Sequence, residues 1–174
     1  NQKLAGLKSR TQAKTFIYAF IYGAGDAKLG TVVGGGRRDG QQLKQRFLAN
    51  LPSLANLKNR VTRAAEKGHI KGLDGRKIFI RSTHSALNAL LQGAGAIVMK
   101  KALQLLNQYI LEKNLDAHFV ANIHDEWQIE VAEKDAKEVG VLGVLAIKNA
   151  GLEFDMKCPL DGEYNIGNNW YETH

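Results

Sequence analysis

Phe119-Val120-Ala121-Asn122-Ile123-His124-Asp125-Glu126-Trp127-Gln128-Ile129-Glu130-Val131 decides how this chain is read. Val120, Ile123, Trp127, Ile129 and Val131 are β-formers on either side of a tight His-Asp-Glu, so the stretch reads strand, turn, strand. A carboxylate pair at the tip of a rigid hairpin is well placed to hold a metal ion, because a rigid element positions ligands better than a loop. The plain alternative is an ordinary hairpin with a polar, solvated turn. The stretch alone does not choose, so its surroundings must.

Residues 1–87 carry 17 Lys/Arg against 4 Asp/Glu, and residues 88–174 carry 7 against 13. A strongly basic half suits a polyanion such as nucleic acid or a nucleoside triphosphate. The acidic half holds Asp125 and Glu126 and suits a divalent cation. Chance segregation of solvated charge is the bland alternative. With 174 residues, 44% of them hydrophobic and 24% charged, the chain can bury a real core as one soluble globular domain. Cys158 is the single cysteine, which excludes a disulfide framework and a Cys-based zinc site and points to a reducing compartment. No apolar run is long enough to span a membrane, and the start does not read as a signal peptide. The sequence opens on Asn1 rather than Met, which reads as part of something longer.

Residues 9–22 read as a helix with Ser9 as N-cap and Ala13, Phe16, Ile17 and Phe20 on its buried face. Arg10, Lys14, Tyr18 and Tyr22 are spaced by four and drift only about 40° per step. They place two cations and two phenols along one exposed edge. Arg and Lys one turn apart can hold adjacent phosphates, and a tyrosine further on can pack against a sugar or base. A solvated polar face is the alternative here.

Gly23-Ala24-Gly25 ends this helix, and Asp26 opens a short one reaching Val33. Gly34-Gly35-Gly36 lacks the Gly-Lys-Ser/Thr ending of a phosphate-binding loop and reads as a hinge. Helices over 39–50 and 52–67 follow, the second presenting Lys58, Arg60, Arg63 and Lys67. Residues 70–80 form a hairpin around Asp74-Gly75. A long helix from about His84 to Glu112 carries Asn88 and Gln92 one turn apart, amides able to meet base-edge acceptors. After the 118–131 hairpin come a helix over 134–149 and a final strand pair near 154–158 and 161–166. The fold class is α+β, without internal repeats.

Arg10-x3-Lys14-x7-Tyr22-Gly23, followed about a hundred residues later by His124-Asp125-Glu126, resembles the fingers and palm motifs of the family A (DNA polymerase I-like) DNA polymerases. Leu87-Asn88-Ala89-Leu90-Leu91-Gln92-Gly93-Ala94-Gly95 resembles that family's minor-groove-reading helix. Thr15-Phe16-Ile17-Tyr18, Tyr22-Gly23-Ala24-Gly25-Asp26, Lys71-Gly72-Leu73-Asp74-Gly75-Arg76-Lys77 and the terminal Trp170 to His174 are similar to the replicative enzymes of podovirus-type bacteriophages. The resemblance covers essentially the whole chain.

The resemblance implies part of a right-hand polymerase, with fingers over 1–80 and palm over 81–174. Its palm sheet would be incomplete without an N-terminal segment. It implies template-directed addition of deoxynucleotides to a primer 3′ end by two-metal nucleotidyl transfer. Arg10 and Lys14 would contact the triphosphate, and Lys14 would also protonate the pyrophosphate leaving group. Tyr18 would govern discrimination against dideoxynucleotides. Tyr22 would stack at the insertion site and help exclude ribonucleotides. Gly25 would sit beside the templating base, Asn88 and Gln92 would read acceptors common to all correct pairs, and His124 would touch the primer terminus. Asp125, with Glu126 nearby, would hold catalytic Mg²⁺, one of two ions, the second site being completed by a carboxylate outside this chain. The implied partners are primer-template DNA, deoxynucleoside triphosphates, a processivity factor, and an N-terminal segment or chain with thumb, 3′–5′ exonuclease and first metal motif. The implied location is the cytoplasm, that of the host if phage-encoded, with no membrane partner.

That first metal motif, Asp-x-Ser-x-x-Glu-x-Arg, is not in this sequence. Asp26 and Asp74 read as turn residues, and Asp116 precedes the hairpin. One aspartate cannot hold two metals, so the expectation is a chain inactive by itself: a piece of a split polymerase, a processed product or a trimmed segment. Two other readings stay open. Single-subunit phage RNA polymerases share related motifs, although Glu126 after His124-Asp125 favours the DNA enzyme. A non-catalytic DNA-binding accessory subunit would keep the basic half, although intact Arg10, Lys14 and Asp125 argue against it.

Overall fold

Capping and apolar periodicity set most of the elements. The structure is a computed structural model that describes residues 2–173; Asn1, and the His174 that closes the phage-like terminus, lie outside the described residues. The fold is α+β. The chain folds as two compact units, Asn1–Gln92 and Gly93–His174. Because residues 88–92 carry no charge, the units inherit the basic and acidic halves unchanged.

The first unit holds α1 (Gln2–Ala5), α2 (Arg10–Ile21), α3 (Asp26–Thr31), α4 (Arg37–Ala49), α5 (Pro52–Ala65), the hairpin β1 (His69–Lys71) and β2 (Lys77–Phe79), and the start of α6 (Ala86–Glu112). Pro52 opens α5, where its missing N–H costs nothing. The inner face of α2 buries Ala13, Phe16 and Phe20 against Leu29, Leu43, Phe47 and Leu87. Phe47 meets Phe16 and Phe20 edge-on, at centroid distances of 5.1 and 5.5 Å, a geometry favoured by the ring quadrupoles. A second cluster joins Val61, Ala65, Ile70 and Ala86.

The Gly34–Gly36 stretch is not a free joint. The Gly35 amide donates to the Gly30 carbonyl at 3.0 Å, and the Gly36 amide to Asp39 Oδ2 at 2.7 Å. Gly40 has no room for a Cβ beside the Asp26 carbonyl, so α3 and α4 pack at backbone distance. The Lys44–Asp26 ion pair closes the same contact.

The second unit holds the rest of α6, β3 (Ala117–Ile123), β4 (Glu126–Val131), α7 (Ala136–Glu153) and α8 (Trp170–Thr173). Leu105, Leu106 and Ile110 of α6 and Val139, Leu142 and Ala146 of α7 are buried. β3 and β4 pair antiparallel from Ala117↔Val131 to Ile123↔Glu126, with a bulge between Phe119 and Ala121. The final strand pair expected near 154–158 and 161–166 does not form; those residues are irregular. Pro159 has no N–H to give a ladder. Asp161 caps the Gly162 amide at 2.9 Å, a local bond that competes with strand pairing. Side-chain packing holds the segment instead: Leu160 lies against Gly151 and Tyr164 against Gly140, where glycine leaves the space. Among the described residues, no helix is long and apolar enough to cross a membrane.

Candidate functional site

Ser9 caps α2 by accepting from the Gln12 amide at 3.1 Å, and Gln12 Oε1 accepts the Lys8 amide at 3.2 Å. Arg10 is therefore the first helical residue, with Lys14 one turn on. Both are exposed, and neither makes an ion pair among the described residues. The positive end of the helix dipole adds to their field, and anions are favoured there. Tyr18 and Tyr22 continue the edge, 53% and 58% exposed. The four side chains span about 18 Å at 1.5 Å per residue. Their direction is fixed from behind, because Phe16 and Phe20 on the opposite face are locked by Phe47.

A Schellman motif ends α2. The Gly23 amide donates to the Phe20 carbonyl at 3.0 Å and the Ala24 amide to the Ala19 carbonyl at 2.9 Å. Gly23 has φ +76°, and a Cβ there would sit 2.5 Å from the His84 carbonyl oxygen. Gly25 differs: it is the N-cap of α3 with φ −68°, and a Cβ would meet nothing within 4 Å. On α6, Asn88 is half-buried and its buried Oδ1 has no hydrogen-bond partner among the described residues, whereas Gln92 one turn on is exposed.

In the second unit, His124 and Asp125 form the two-residue tip between Ile123 and Glu126, both exposed. His124 has φ +54°. For a residue with a side chain that conformation costs about 1–3 kcal/mol, and such strain clusters at functional sites. Glu126 is half-buried, and its Oε1 accepts from Gln128 Nε2. Gln128 Oε1 in turn accepts from Thr173 Oγ1 at 3.3 Å. This relay ties the Glu126 carboxylate to the C-terminal helix. Sequence reasoning missed Gln128 and Thr173; the only readable signal was that Gln128 follows Glu126 by two and so shares its face of the strand. Trp127 Nε1 is buried and unpartnered among the described residues.

The other aspartates weighed as ligands are engaged elsewhere. Asp26 pairs with Lys44, Asp74 with Arg76 at 2.6 Å, and Asp116 with His118 at 3.2 Å. The hydrogen bond from the Arg76 guanidinium holds the Asp74 carboxyl below its ordinary range. No group of three or more His, Cys, Asp or Glu gathers as a metal site among the described residues. Asp125 and the tethered Glu126 stand as neighbouring carboxylates at the hairpin tip. Arg10, Lys14, Tyr18, Tyr22, Gly25, Asn88 and Gln92 lie in the first unit, and His124, Asp125 and Glu126 in the second.

The family model for DNA polymerase family A matches residues 3–172. The chain belongs to DNA polymerase family A. A DNA-directed DNA polymerase of Escherichia phage Phieco32 is 48% identical over 181 residues, covering all of this chain and 30% of the relative. The DNA-directed DNA polymerase of Enterobacteria phage T3 is 39% identical over the whole chain, and DNA polymerase I of Pseudomonas aeruginosa 31% identical over 95% of it. The chain spans about 30% of the length of the phage relatives it matches. Among solved structures, the POL domain of Pol1 from M. smegmatis, in complex with DNA primer-template and dNTP, superposes with a TM-score of 0.74. It shares 22% identity over 81% of this chain, 27% of that one, a likeness of fold.

Proposed function

We propose that this family A chain supplies the fingers (1–80) and part of the palm (81–174) of a template-directed DNA polymerase that extends a primer 3′ end. The observation that carries the reading is the edge of α2. Arg10, Lys14, Tyr18 and Tyr22 face solvent in one row while the opposite face is pinned by an aromatic cluster. Phosphoryl and nucleotidyl transfer leave the protein little covalent work beyond positioning and charge stabilisation. Arg10 grips the triphosphate through its planar fork, and Lys14 holds a neighbouring phosphate and gives its proton to the departing pyrophosphate. Tyr18 and Tyr22 line the sugar and base of the incoming nucleotide. Gly25, where the chain is bare of side chain, lies by the templating base. Asn88 and Gln92 test the minor-groove edge of new pairs.

His124 approaches the primer terminus. Asp125 would hold catalytic Mg²⁺ beside Glu126, whose carboxylate is oriented by Gln128. A pair of such ions would supply the Lewis-acid chemistry that activates a primer hydroxyl and stabilises a leaving oxygen. The second carboxylate comes from outside this chain, in a segment carrying the first metal motif with thumb and exonuclease. The chain's 30% share of its phage relatives supports that partner, and exposed Val120, Val141, Leu145 and Ile166 are available for it to cover. Primer-template DNA and deoxynucleoside triphosphates are the substrates, a processivity factor belongs to the missing part, and the host cytoplasm is the place of action.

The test is Asp125→Ala in the polymerase assembled with that segment. Primer-template binding should hold or tighten, since a negative charge facing DNA is removed. Extension should fall by on the order of a thousandfold. Undiminished extension would favour a non-catalytic role for this chain, and a preference for ribonucleotides would make it an RNA polymerase.

A further inference from the structure

The hairpin of the first unit has two unlike faces. Ile70 and Ile78 oppose each other on one, packed with Val61, Ala65 and Ala86. The other carries Lys71 opposite Lys77 and His69 opposite Phe79. Two features of this outer face oppose stability. Like charges directly opposite each other in an antiparallel pair repel, and neither lysine has an ion pair among the described residues. The acid nearest in sequence, Asp74, is taken by Arg76. Phe79 leaves 82% of its surface in water, although phenylalanine gains strongly from burial. Its ring lies 6.5 Å from the His69 ring, tilted by 53°, and His69 Nδ1 is fixed on the Lys67 carbonyl at 3.2 Å.

We propose that this outer face binds single-stranded nucleic acid, a base stacking on Phe79 beside His69 while Lys71 and Lys77 take the flanking phosphates. Every base has a π-face, so an exposed aromatic ring is a sequence-tolerant platform. Opposed lysines, costly alone, become favourable when a polyanion neutralises both. An acidic peptide would satisfy the lysines but leave the Phe79–His69 pair unused, so the nucleic acid is the better fit. The face uses none of the residues placed at the nucleotide or metal. It rests on the reading of the chain as a polymerase only in that the strand presented would be the unpaired template.

The experiment titrates fluorescein-labelled dT20 into the assembled polymerase and its hairpin variants, with primer extension on a one-nucleotide overhang measured in parallel. Phe79→Ala should weaken dT20 binding by about five- to a hundredfold, and Phe79→Trp should restore it. The Lys71→Ala/Lys77→Ala pair should flatten the slope of log K against log salt by about 1.4. Neither change should lower the unfolding midpoint, since all three side chains are exposed. A dT20 oligonucleotide bearing 5-iodouracil should crosslink to Phe79 or His69. Unchanged affinity and slope with crosslinks elsewhere would overturn the proposal. So would variants that lose a poly-glutamate peptide while keeping dT20, which would make the face a protein-docking surface. Short-overhang extension should persist in every variant; its absence in the parent would count against the polymerase reading and leave the dT20 result to judge the hairpin.

Discussion

Gly23 and Gly25 stand two residues apart and should fail differently when each gains a methyl group. At Gly23 the backbone is left-handed, φ +76°, which costs a residue with a Cβ about 1–2 kcal/mol. The new Cβ would also lie 2.5 Å from the His84 carbonyl oxygen, so the turn leading into α6 must give way. Together these predict a loss of roughly 2–3 kcal/mol for Gly23→Ala, or about 4–12 °C in Tm for a chain of this size. At Gly25 the backbone already suits alanine, with φ −68° and ψ 162°, and no atom lies within 4 Å of the new carbon. The stability change should stay within about 0.5 kcal/mol, the gain from a stiffer unfolded chain offsetting a poorer N-cap. The functional order should reverse. If Gly25 lies against the templating base, its methyl group slows extension while the fold stays intact. Thermal unfolding and steady-state extension of the two variants, side by side, separate these effects. Equal midpoints, or a Gly25→Ala that unfolds first, would refute the reasoning about the end of α2.

Lys14→Arg keeps the cation on the triphosphate but cannot give up a proton near neutral pH. The KM for nucleotide should stay within a few-fold while kcat falls by on the order of 10²–10⁴, whereas Lys14→Ala should raise KM as well; the split is read by steady-state extension. The Asp74 carboxyl titrates below its ordinary 3.8 in the fold because Arg76 hydrogen-bonds the charged form. Folding therefore weakens its hold on a proton. Its support for the hairpin turn is fully present above 3.8 and lost as pH falls through the lowered value. The Arg76 Nε–H resonance should stay protected from exchange at 3.8 and above and lose that protection only as pH falls through the lowered value, and a loss beginning near pH 6 would contradict the assignment.

Much of this was legible because short-range rules govern it. The edge of α2 follows from a spacing of four and a serine cap, and β3–β4 from β-formers around a two-residue tip. Three features were not readable, each for a physical reason. The irregular 154–166 segment has strand-like composition, but Pro159 and the Asp161–Gly162 bond remove ladder donors, and its real contacts are with Gly140 and Gly151 of α7. Gly34–Gly36 looks like a hinge by composition, yet Gly30 and Asp39 accept its amides. The relay from Thr173 through Gln128 to Glu126 joins residues 45 positions apart, which no local pattern reports. His124 was readable as a turn residue, but its left-handed backbone was not. Asn114 and Asp155 share that backbone, which a two-residue hairpin turn demands in any case.

The reading of Asp125 as one carboxylate of a metal site completed from outside this chain is a proposal with a direct test. Primer extension by the 174-residue chain with Mg²⁺, alone and then mixed with a segment bearing the first metal motif, tests it most directly. No product is expected from the chain alone, and extension should appear on mixing and vanish again when Asp125 is replaced. Extension of a primer by the chain alone would contradict it.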